Sequence, residues 1–168
     1  MVDIQTVVYV LPILAFTLTL FYYTINIRNA NKSRQASILT SFQQEAHTNE
    51  YWKKWRDVVY HQDFTDFETW NKTIGPYTDS EEYLNFVSLG AYYEHLGVLV
   101  KQGFIDPKHI METMSGPLIA FWDKTEKVTK EARIALNNPL IHIEIETLVN
   151  YIKEQRKDYS PDFQAFKP

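Results

Sequence analysis

The feature that most constrains this chain is an uncharged apolar stretch near its N-terminus. Between Asp3 and Arg28 the only ionisable residue type is tyrosine, and the core of the stretch reads VVYVLPILAFTLTLFYYTI. At about 1.5 Å of rise per residue, these 19 residues come close to the roughly 30 Å hydrocarbon core of a bilayer. The sequence therefore predicts a transmembrane helix over Val7–Ile25, within an anchor segment of residues 1–27.

Tyrosines lie at both ends of this stretch, and tyrosine is enriched at both bilayer interfaces. Tyr9 lies near the first end, and Tyr22 and Tyr23 lie near the second. Two other interpretations stay open. A cleaved signal peptide would need a positive N-terminal region and small residues at a cleavage site, but the only charge before the stretch is Asp3. A buried helix of a soluble protein would rarely have so long an apolar run.

Basic residues flank the stretch on one side only. Arg28, Lys32 and Arg34 follow it within ten residues, and no Lys or Arg precedes it. Because basic flanks stay on the cytoplasmic side, this asymmetry predicts an N-terminus outside the cell and a cytoplasmic helical domain. The three residues are expected at the membrane interface, where they can also attract anionic lipid. We thus predict a single-pass protein of the cell membrane.

The remainder of the chain predicts helices, with no useful strand-like alternation. No Gly or Pro occurs between Pro12 and Gly75, so the anchor helix is expected to continue as a stalk over residues 28–47. Beyond the stalk, apolar residues recur at helical spacing. The predicted fold is all-α: one N-terminal transmembrane helix continuing into a stalk, then a compact bundle of about five helices over residues 48–157, and an irregular tail over residues 158–168.

Capping residues predict where helices of the bundle begin. Thr48 or Asn49 starts the segment EYWKKWRDVVYHQ, a basic helix with two tryptophans. Such a helix either packs one face on the core or lies in a membrane interface. Near the end of the chain, Asn138 precedes a proline, which suits the first helical position. The last helix is accordingly predicted over about Pro139–Lys157.

The most apolar stretch after the anchor is EEYLNFVSLGAYYEHLGVLVKQG. A helix that is apolar around most of its circumference is typical of a buried position at the centre of a bundle. Gly103 is expected to end this helix. A second membrane span over Tyr83–Val100 is the rival interpretation, and Glu94 argues against it because a carboxylate in lipid is costly.

The residue types needed for most catalytic and metal chemistry are absent or wrongly spaced. The chain has no cysteine, which excludes disulfides, thiolate nucleophiles and cysteine-ligated metals. Its five histidines lack the Glu-x-x-His spacing of di-iron bundles, and the chain has no Gly-rich phosphate loop or nucleophile elbow. We therefore predict no catalytic, cofactor-binding or metal-ligating residue.

The charge balance argues against nucleic acid as a partner. After residues 1–35 the chain carries 14 Lys and Arg against 20 Asp and Glu. Sequence-independent binding of nucleic acid depends on neutralising phosphates with basic side chains. A net negative domain is poorly suited to that task, so no nucleic-acid partner is predicted.

Glu94 and His95 form the candidate functional pair. They lie together in the most apolar helix of the predicted bundle, and buried titratable groups are enriched at functional sites. The alternative is structural: Glu94 forms an ion pair with a basic residue of a neighbouring helix, such as Arg133 or Lys127. A catalytic carboxylate would usually be accompanied by a second acid or base at matching spacing, and none is evident.

The segment EHLGVLVKQGFIDPKHIMETMSGPLIAFWDK carries a set of spaced positions, namely Glu94, Leu96, Gly97, Leu99, Val100, Gly103, Ile105, Asp106 and Trp122. In these positions, and over roughly residues 5–155, the chain resembles a family of small bacterial and archaeal proteins with one N-terminal span and a helical domain of unknown function. The resemblance implies the fold and topology already predicted. It brings no catalytic residues.

These features favour a membrane-anchored helical interaction protein, an accessory or assembly subunit of a larger membrane complex. Its expected partners are the lipid bilayer and other membrane protein subunits, and respiratory, transport and monooxygenase complexes are equally compatible hosts. The alternative is a membrane-tethered enzyme or a signalling or stress-response effector that uses Glu94 and His95.

Overall fold

The computed structural model describes residues 4–158, with side chains described from Val8 to Lys157. Within this range the helices are α1 (Ile4–Ala46), α2 (Asn49–Arg56), α3 (Phe67–Thr73), α4 (Glu81–Lys101), α5 (Pro107–Thr113), α6 (Ser115–Ala135) and α7 (Ile143–Asp158), with a π-helical turn (Asp57–His61) directly after α2. The all-α prediction is confirmed, and six α-helices follow α1 where about five were expected. The tail predicted to be irregular lies outside the described residues, apart from Asp158 at the end of α7.

The chain divides into two compact units, one ending at Ser41 and the other beginning at Phe42. In the first unit, every described side chain from Val8 to Ser37 is exposed. Among residues 4–158, α1 is the one helix that is long and apolar enough to span a membrane. The threonines in its apolar part donate their hydroxyls to carbonyls four residues earlier, as Thr17 does to Ile13 at 2.8 Å. Such bonds satisfy polar groups within the helix itself.

The core of the second unit is built around α4, which packs most extensively against α7 and also contacts α2. Leu89, Tyr93 and Leu96 of α4 are buried, as are Phe121 and Trp122 of α6. The prediction that this helix lies buried at the centre of the bundle is therefore confirmed. The rival interpretation of Tyr83–Val100 as a second membrane span was wrong, because the apolar side chains of α4 are largely covered by other helices of the same unit.

Side-chain caps start several of these helices, and α2 starts at the predicted Thr48. Thr48 begins α2, its Oγ1 accepting the N–H of Tyr51 at 3.1 Å. Ser80 begins α4 by the same type of bond. After α4, Gly103 has a φ of +74°, the left-handed conformation that favours glycine at the end of a helix. The start of α2 and the end of α4 depend on residues close in sequence, which is why the sequence predicted them.

The start of α7 differs from the prediction. The helix begins at Ile143, four residues after Pro139. Asn138 does cap a turn, since its Oδ1 accepts the N–H of Leu140 at 3.1 Å. His142 then has a φ of +52°, which is incompatible with an α-helix. The cap and the proline therefore open a turn, and the helix starts only after His142.

Candidate functional site

The carboxylate of Glu94, the first of the two predicted candidates, bridges two helices. It lies half-buried on α4 and accepts two backbone N–H groups from the first turn of α7, that of Glu144 at 3.2 Å and that of Ile145 at 3.0 Å. The first N–H groups of a helix lack partners within the helix and carry a partial positive charge. Glu94 therefore caps α7 from a neighbouring helix.

The ion pair predicted for Glu94 with Arg133 or Lys127 was wrong. The guanidinium of Arg133 contacts Glu146 at 2.5 Å and donates to the carbonyl of Ile141 at 2.8 Å. The ammonium of Lys127 donates to a backbone carbonyl. Both basic residues are engaged elsewhere, and the partial positive charge of α7 takes the place of a basic side chain beside Glu94.

His95 lies in a different environment from Glu94. Its side chain is exposed, and its ring packs edge-on against Phe42 with a centroid separation of 5.5 Å. Consecutive residues of a helix point about 100° apart, which explains why the two side chains have different neighbours. The structure therefore does not bring Glu94 and His95 together as an acid–base pair.

His142 is a half-buried titratable residue that was not among the predicted site residues. Its ring packs on Phe86 and Phe121 with centroid separations of 5.5 and 6.3 Å. Burial, followed by the positive charge of Arg133, lowers the pKa of His142 to about 4. The imidazole is therefore neutral at physiological pH, and its Nδ1 has no hydrogen-bond partner among the described residues. A glycine at position 90 makes room for this ring.

An ion pair between Arg133 and Glu146 joins α6 to α7. Burial opposes ionisation of Glu146, but hydrogen bonds and charges from Arg133 and Lys130 hold the pKa of its carboxyl below the usual value. The carboxyl group of Glu146 is thus ionised at neutral pH. Residues 4–158 contain no group of three or more His, Asp or Glu placed to hold a metal ion. The titratable residues here join helices, and they do not converge on a substrate-sized space.

Tyrosine hydroxyls form a further buried cluster. The hydroxyls of Tyr51 and Tyr93 lie 2.5 Å apart, and Tyr92 donates to the carbonyl of Phe42 at 3.0 Å. Desolvation raises the pKa of Tyr51 to about 12 and raises those of the other two as well. Such phenols remain protonated and hydrogen-bonded at neutral pH, as expected for core residues that join α2, α4 and the end of α1.

The residues predicted at a membrane interface are all exposed on α1: Tyr9, Tyr22, Tyr23, Arg28, Lys32 and Arg34. Tyr9 and Tyr22 are separated by 13 residues, or about 20 Å of helical rise. The three basic residues follow within the next turns of the same helix. The two tyrosines are thus closer together than the roughly 30 Å hydrocarbon core, whereas Tyr9 and Arg28 are about 28 Å apart along the helix, and the interface positions stay a prediction.

A continuous surface of aromatic and basic side chains lies on α2 and the π-helical turn, with four exposed residues around the half-buried Trp55. We call it the aromatic–basic surface, and it consists of Trp52, Lys53, Trp55, Arg56 and Tyr60. The ring centroids of Trp52 and Trp55 are 5.5 Å apart, as are those of Trp55 and Tyr60, and both contacts are edge-to-face. Trp52 is 43% exposed and Tyr60 is 68% exposed.

The π-helical turn accounts for this arrangement. Trp55 and Tyr60 are five residues apart, a spacing that places side chains on different faces of an α-helix. A π-helical turn bonds residues five apart and so brings them together. Trp55 is further fixed by its Nε1, which donates to the carbonyl of Pro117 at 3.0 Å. The surface is thus held in place by the fold.

The two basic residues of this surface also line a groove with the carboxylates of Glu50, Asp57, Glu81 and Glu82. Neither Lys53 nor Arg56 forms an ion pair with any residue in the described part of the chain, whereas Lys54 pairs with Glu50 at 2.8 Å. The sequence offered two interpretations of this helix, core-facing or interfacial. One face does pack on the core, through Tyr51 and Val58, while the tryptophans lie mainly on the outer side. The WKKWR segment was the sequence signal for this surface, but nothing in the sequence indicated that Tyr60 lies next to Trp55.

Fold and candidate site together define a small all-α protein with an exposed apolar N-terminal helix, a compact helical unit, and an outward-facing aromatic–basic surface. A family model described as Domain of unknown function (DUF4760) matches residues 10–156, and the chain belongs to this family. No curated protein and no solved structure matches the chain.

Proposed function

We propose that this protein is a single-pass membrane protein whose helical unit docks onto other subunits of a larger membrane complex. The observation that carries the proposal is the exposure of α1, whose apolar side chains from Val8 to Ile27 are covered by no other described residue. Exposed apolar surface of this extent usually marks contact with membrane or protein. A bilayer would cover these side chains on all sides.

The orientation proposed for the chain has the N-terminus outside the cell and the unit beginning at Phe42 in the cytoplasm. It rests on Arg28, Lys32 and Arg34, which follow the apolar part of α1 while no basic residue precedes it. The absence of native cysteine allows a direct test by labelling with a membrane-impermeant maleimide. Gln5→Cys should be labelled in intact cells, and Tyr77→Cys, at a 92% exposed position, only after permeabilisation. The reverse pattern would invert the topology.

A role in docking is favoured over catalysis by the positions of the titratable residues. Glu94 caps α7 and His95 packs on Phe42, so neither is placed to act with the other on a substrate. The aromatic–basic surface, by contrast, faces outward and is free of described neighbours that would cover it. No observation favours the alternative of an enzyme or signalling effector that uses Glu94 and His95.

Complex formation is tested by isolating the protein from its own membranes in a mild detergent. Native electrophoresis followed by mass spectrometry should recover the chain in stoichiometric amounts with other membrane subunits. A chain that migrates only as a monomer under conditions that preserve known membrane complexes would contradict the docking role. Retention of the chain in membranes after alkaline carbonate extraction tests the span separately.

A further inference from the structure

We propose that an apolar groove between α4 and α7 binds the segment of the same chain that follows α7, residues 159–168, which lies outside the described residues. The inference does not depend on the proposed function, because it concerns only the unit that begins at Phe42. It is carried by the apolar lining of the groove, by the position of the groove along α7, and by the composition and length of the segment.

The groove has a volume of about 380 Å³ and is lined by residues of α4, α5 and α7 and of the turn before α7. Its apolar lining includes Val100 on α4, Pro107 at the start of α5, and Leu140 in the turn. Leu140 is 68% exposed, and Tyr151 on the α7 side is 42% exposed. Exposed apolar side chains that lie together usually mark an interaction site.

The charges of the groove do not select a charged occupant. The two charged residues that line it, Lys101 and Glu144, pair with each other at 2.5 Å. The other lining residues carry no charge. Burial of apolar area is therefore the main contribution that this groove offers to an occupant, and we expect the occupant to present large apolar side chains.

The groove lies on the face of α7 that leads to the end of that helix. Its lining residues from Glu144 to Tyr151 follow the i, i+3, i+4, i+7 spacing of a single helix face. The same face continues to Gln155 and to Asp158, the last residue of α7. A chain that leaves α7 at Asp158 and reverses its direction can therefore return along the groove.

The length of the segment matches the length of the groove. Tyr151 lies about 10 Å before the end of α7 along the helix axis, and Glu144 lies about 21 Å before it. At about 3.3 Å per extended residue, Phe163 can lie up to roughly 16 Å from Asp158, and Phe166 up to roughly 26 Å. Phe163 can thus reach the Tyr151 end of the groove, and Phe166 can reach the Glu144 end.

The composition of the segment suits an apolar groove. It reads YSPDFQAFKP, with Phe163 and Phe166 among mainly polar neighbours. Phenylalanine gains much free energy when its ring is removed from water. Pro161 disfavours a continuation of the α7 helix, so the chain is free to change direction before the first phenylalanine.

The size of the groove favours a segment of the same chain over a second folded protein. Ten described residues line the groove, whereas a stable interface between two folded proteins takes about 20–30 residues from each side. A segment tethered beside its site also has a roughly millimolar effective concentration, so a small contact area is enough to hold it.

The experiment is disulfide crosslinking of the full chain, which has no native cysteine. Thr147, which lines the groove, and Gln164, between the two phenylalanines, are both replaced by Cys, and isolated membranes are oxidised with copper phenanthroline. Asn150→Cys with Gln164→Cys is the matched control, because Asn150 is exposed on α7, is nearer to Gln164 in sequence, and does not line the groove. We expect T147C/Q164C to form a disulfide within one chain about tenfold faster than N150C/Q164C.

Substitutions in the segment and in the groove make the test specific. Replacing Phe163 and Phe166 by Ser should lower the rate of T147C/Q164C to that of the control pair, whereas replacing both by Leu should preserve it, because leucine keeps the apolar bulk. Leu140→Asp, at an exposed position of the groove, should lower the rate as well. Circular dichroism confirms that each variant is folded.

Three results would overturn the inference: equal rates for the two cysteine pairs, a disulfide only between two copies of the chain, or a rate that neither the serine substitutions nor Leu140→Asp changes. Recovery of the chain with other membrane subunits is measured separately. The proposed function therefore stands or falls independently of this groove.

Discussion

The carboxylate of Glu94 illustrates how an ionisable side chain becomes necessary inside an apolar helix. It accepts two N–H groups at the start of α7, where His142 cannot provide a side-chain cap in its left-handed conformation. Capping bonds to an ionised acceptor are stronger than those to a neutral one. The carboxylate on α4 is therefore explained by its bonds to the neighbouring helix end.

Replacing Glu94 by Leu should lower the free energy of unfolding by about 1–2 kcal/mol, the usual effect of losing a helix cap. Glu94→Gln should lower it less, since the amide oxygen still accepts one N–H. Urea denaturation of the full chain in detergent measures both variants. Glu154→Gln, at an exposed position of α7, is the matched control. A Leu variant as stable as the control would contradict the capping role.

The buried imidazole of His142 should make stability depend on pH. Its pKa is about 4 in the folded chain against an ordinary value of 6.5, so between these values the unfolded chain binds a proton that the folded chain does not. The contribution of His142 to the free energy of unfolding is therefore fully present above pH 6.5 and falls as the pH is lowered towards 4. At 1.36 kcal/mol per pKa unit, we expect a loss of about 2 kcal/mol between pH 7 and pH 5.

The measurement is the free energy of unfolding at pH 7, 6 and 5 for the wild type and for His142→Asn. Asparagine does not titrate in this range and tolerates the positive φ at this position. The variant should show a much flatter profile, whatever its stability at pH 7. The carboxyl groups with lowered pKa, such as Glu146, are present in both proteins, so their contribution cancels when the two profiles are compared. Parallel profiles for the two proteins would exclude His142 as the origin.

At the scale of helices, close approach of α4 and α7 depends on a glycine. A Cβ added at Gly97 would lie 2.7 Å from the carbonyl oxygen of Glu144, which is part of the backbone and cannot rotate away. This contact occurs in the same turn of α7 that Glu94 caps. Packing and capping therefore cooperate at one junction, and the small residue sets the distance between the two helices.

Gly97→Ala should destabilise the protein by about 1–3 kcal/mol, the range for overpacking in a close-packed interior. Gly116→Ala is the control, because its added Cβ meets no atom within 4 Å. That variant should be neutral or more stable, since alanine restricts the unfolded chain in a helical position. Thermal unfolding followed by circular dichroism compares the two, and equal midpoints would contradict the packing argument.

The π-helical turn is the second element that determines the surface of the protein. Asp57 anchors it by accepting hydrogen bonds from Gln62 at 2.8 Å and from Asn85 of α4 at 2.9 Å. The turn adds one residue to the helical repeat and thereby moves Tyr60 onto the face of Trp55. These part-buried polar contacts hold the turn in place, and the turn in turn sets the arrangement of the aromatic rings.

At the scale of the whole molecule, the apolar part of α1 is expected to decide where the protein resides. Introducing arginine at Leu14 and Leu18 places two charges on one face near the middle of the predicted span. Each central arginine costs about 2.5 kcal/mol or more on insertion scales. The double variant should be lost from the carbonate-resistant membrane fraction, measured by immunoblotting. Leu136→Arg, at an exposed position after α6, should remain there. Equal retention of both variants would argue against the span.

The sequence by itself determined the helical fold, the long apolar helix at the N-terminus, the start of α2 and the end of α4. These depend on periodicity and on caps a few residues apart, so they are local properties of the chain. Only the tertiary structure decided the partner of Glu94, the burial of His142 and the adjacency of Trp55 and Tyr60. These depend on contacts between helices distant in sequence, and on a π-helical turn that a standard helical period does not reveal. The same reason explains why the predicted ion pair of Glu94 was wrong. The partial positive charge at the start of a helix can take the place of a basic side chain, and no particular residue in the sequence marks that charge.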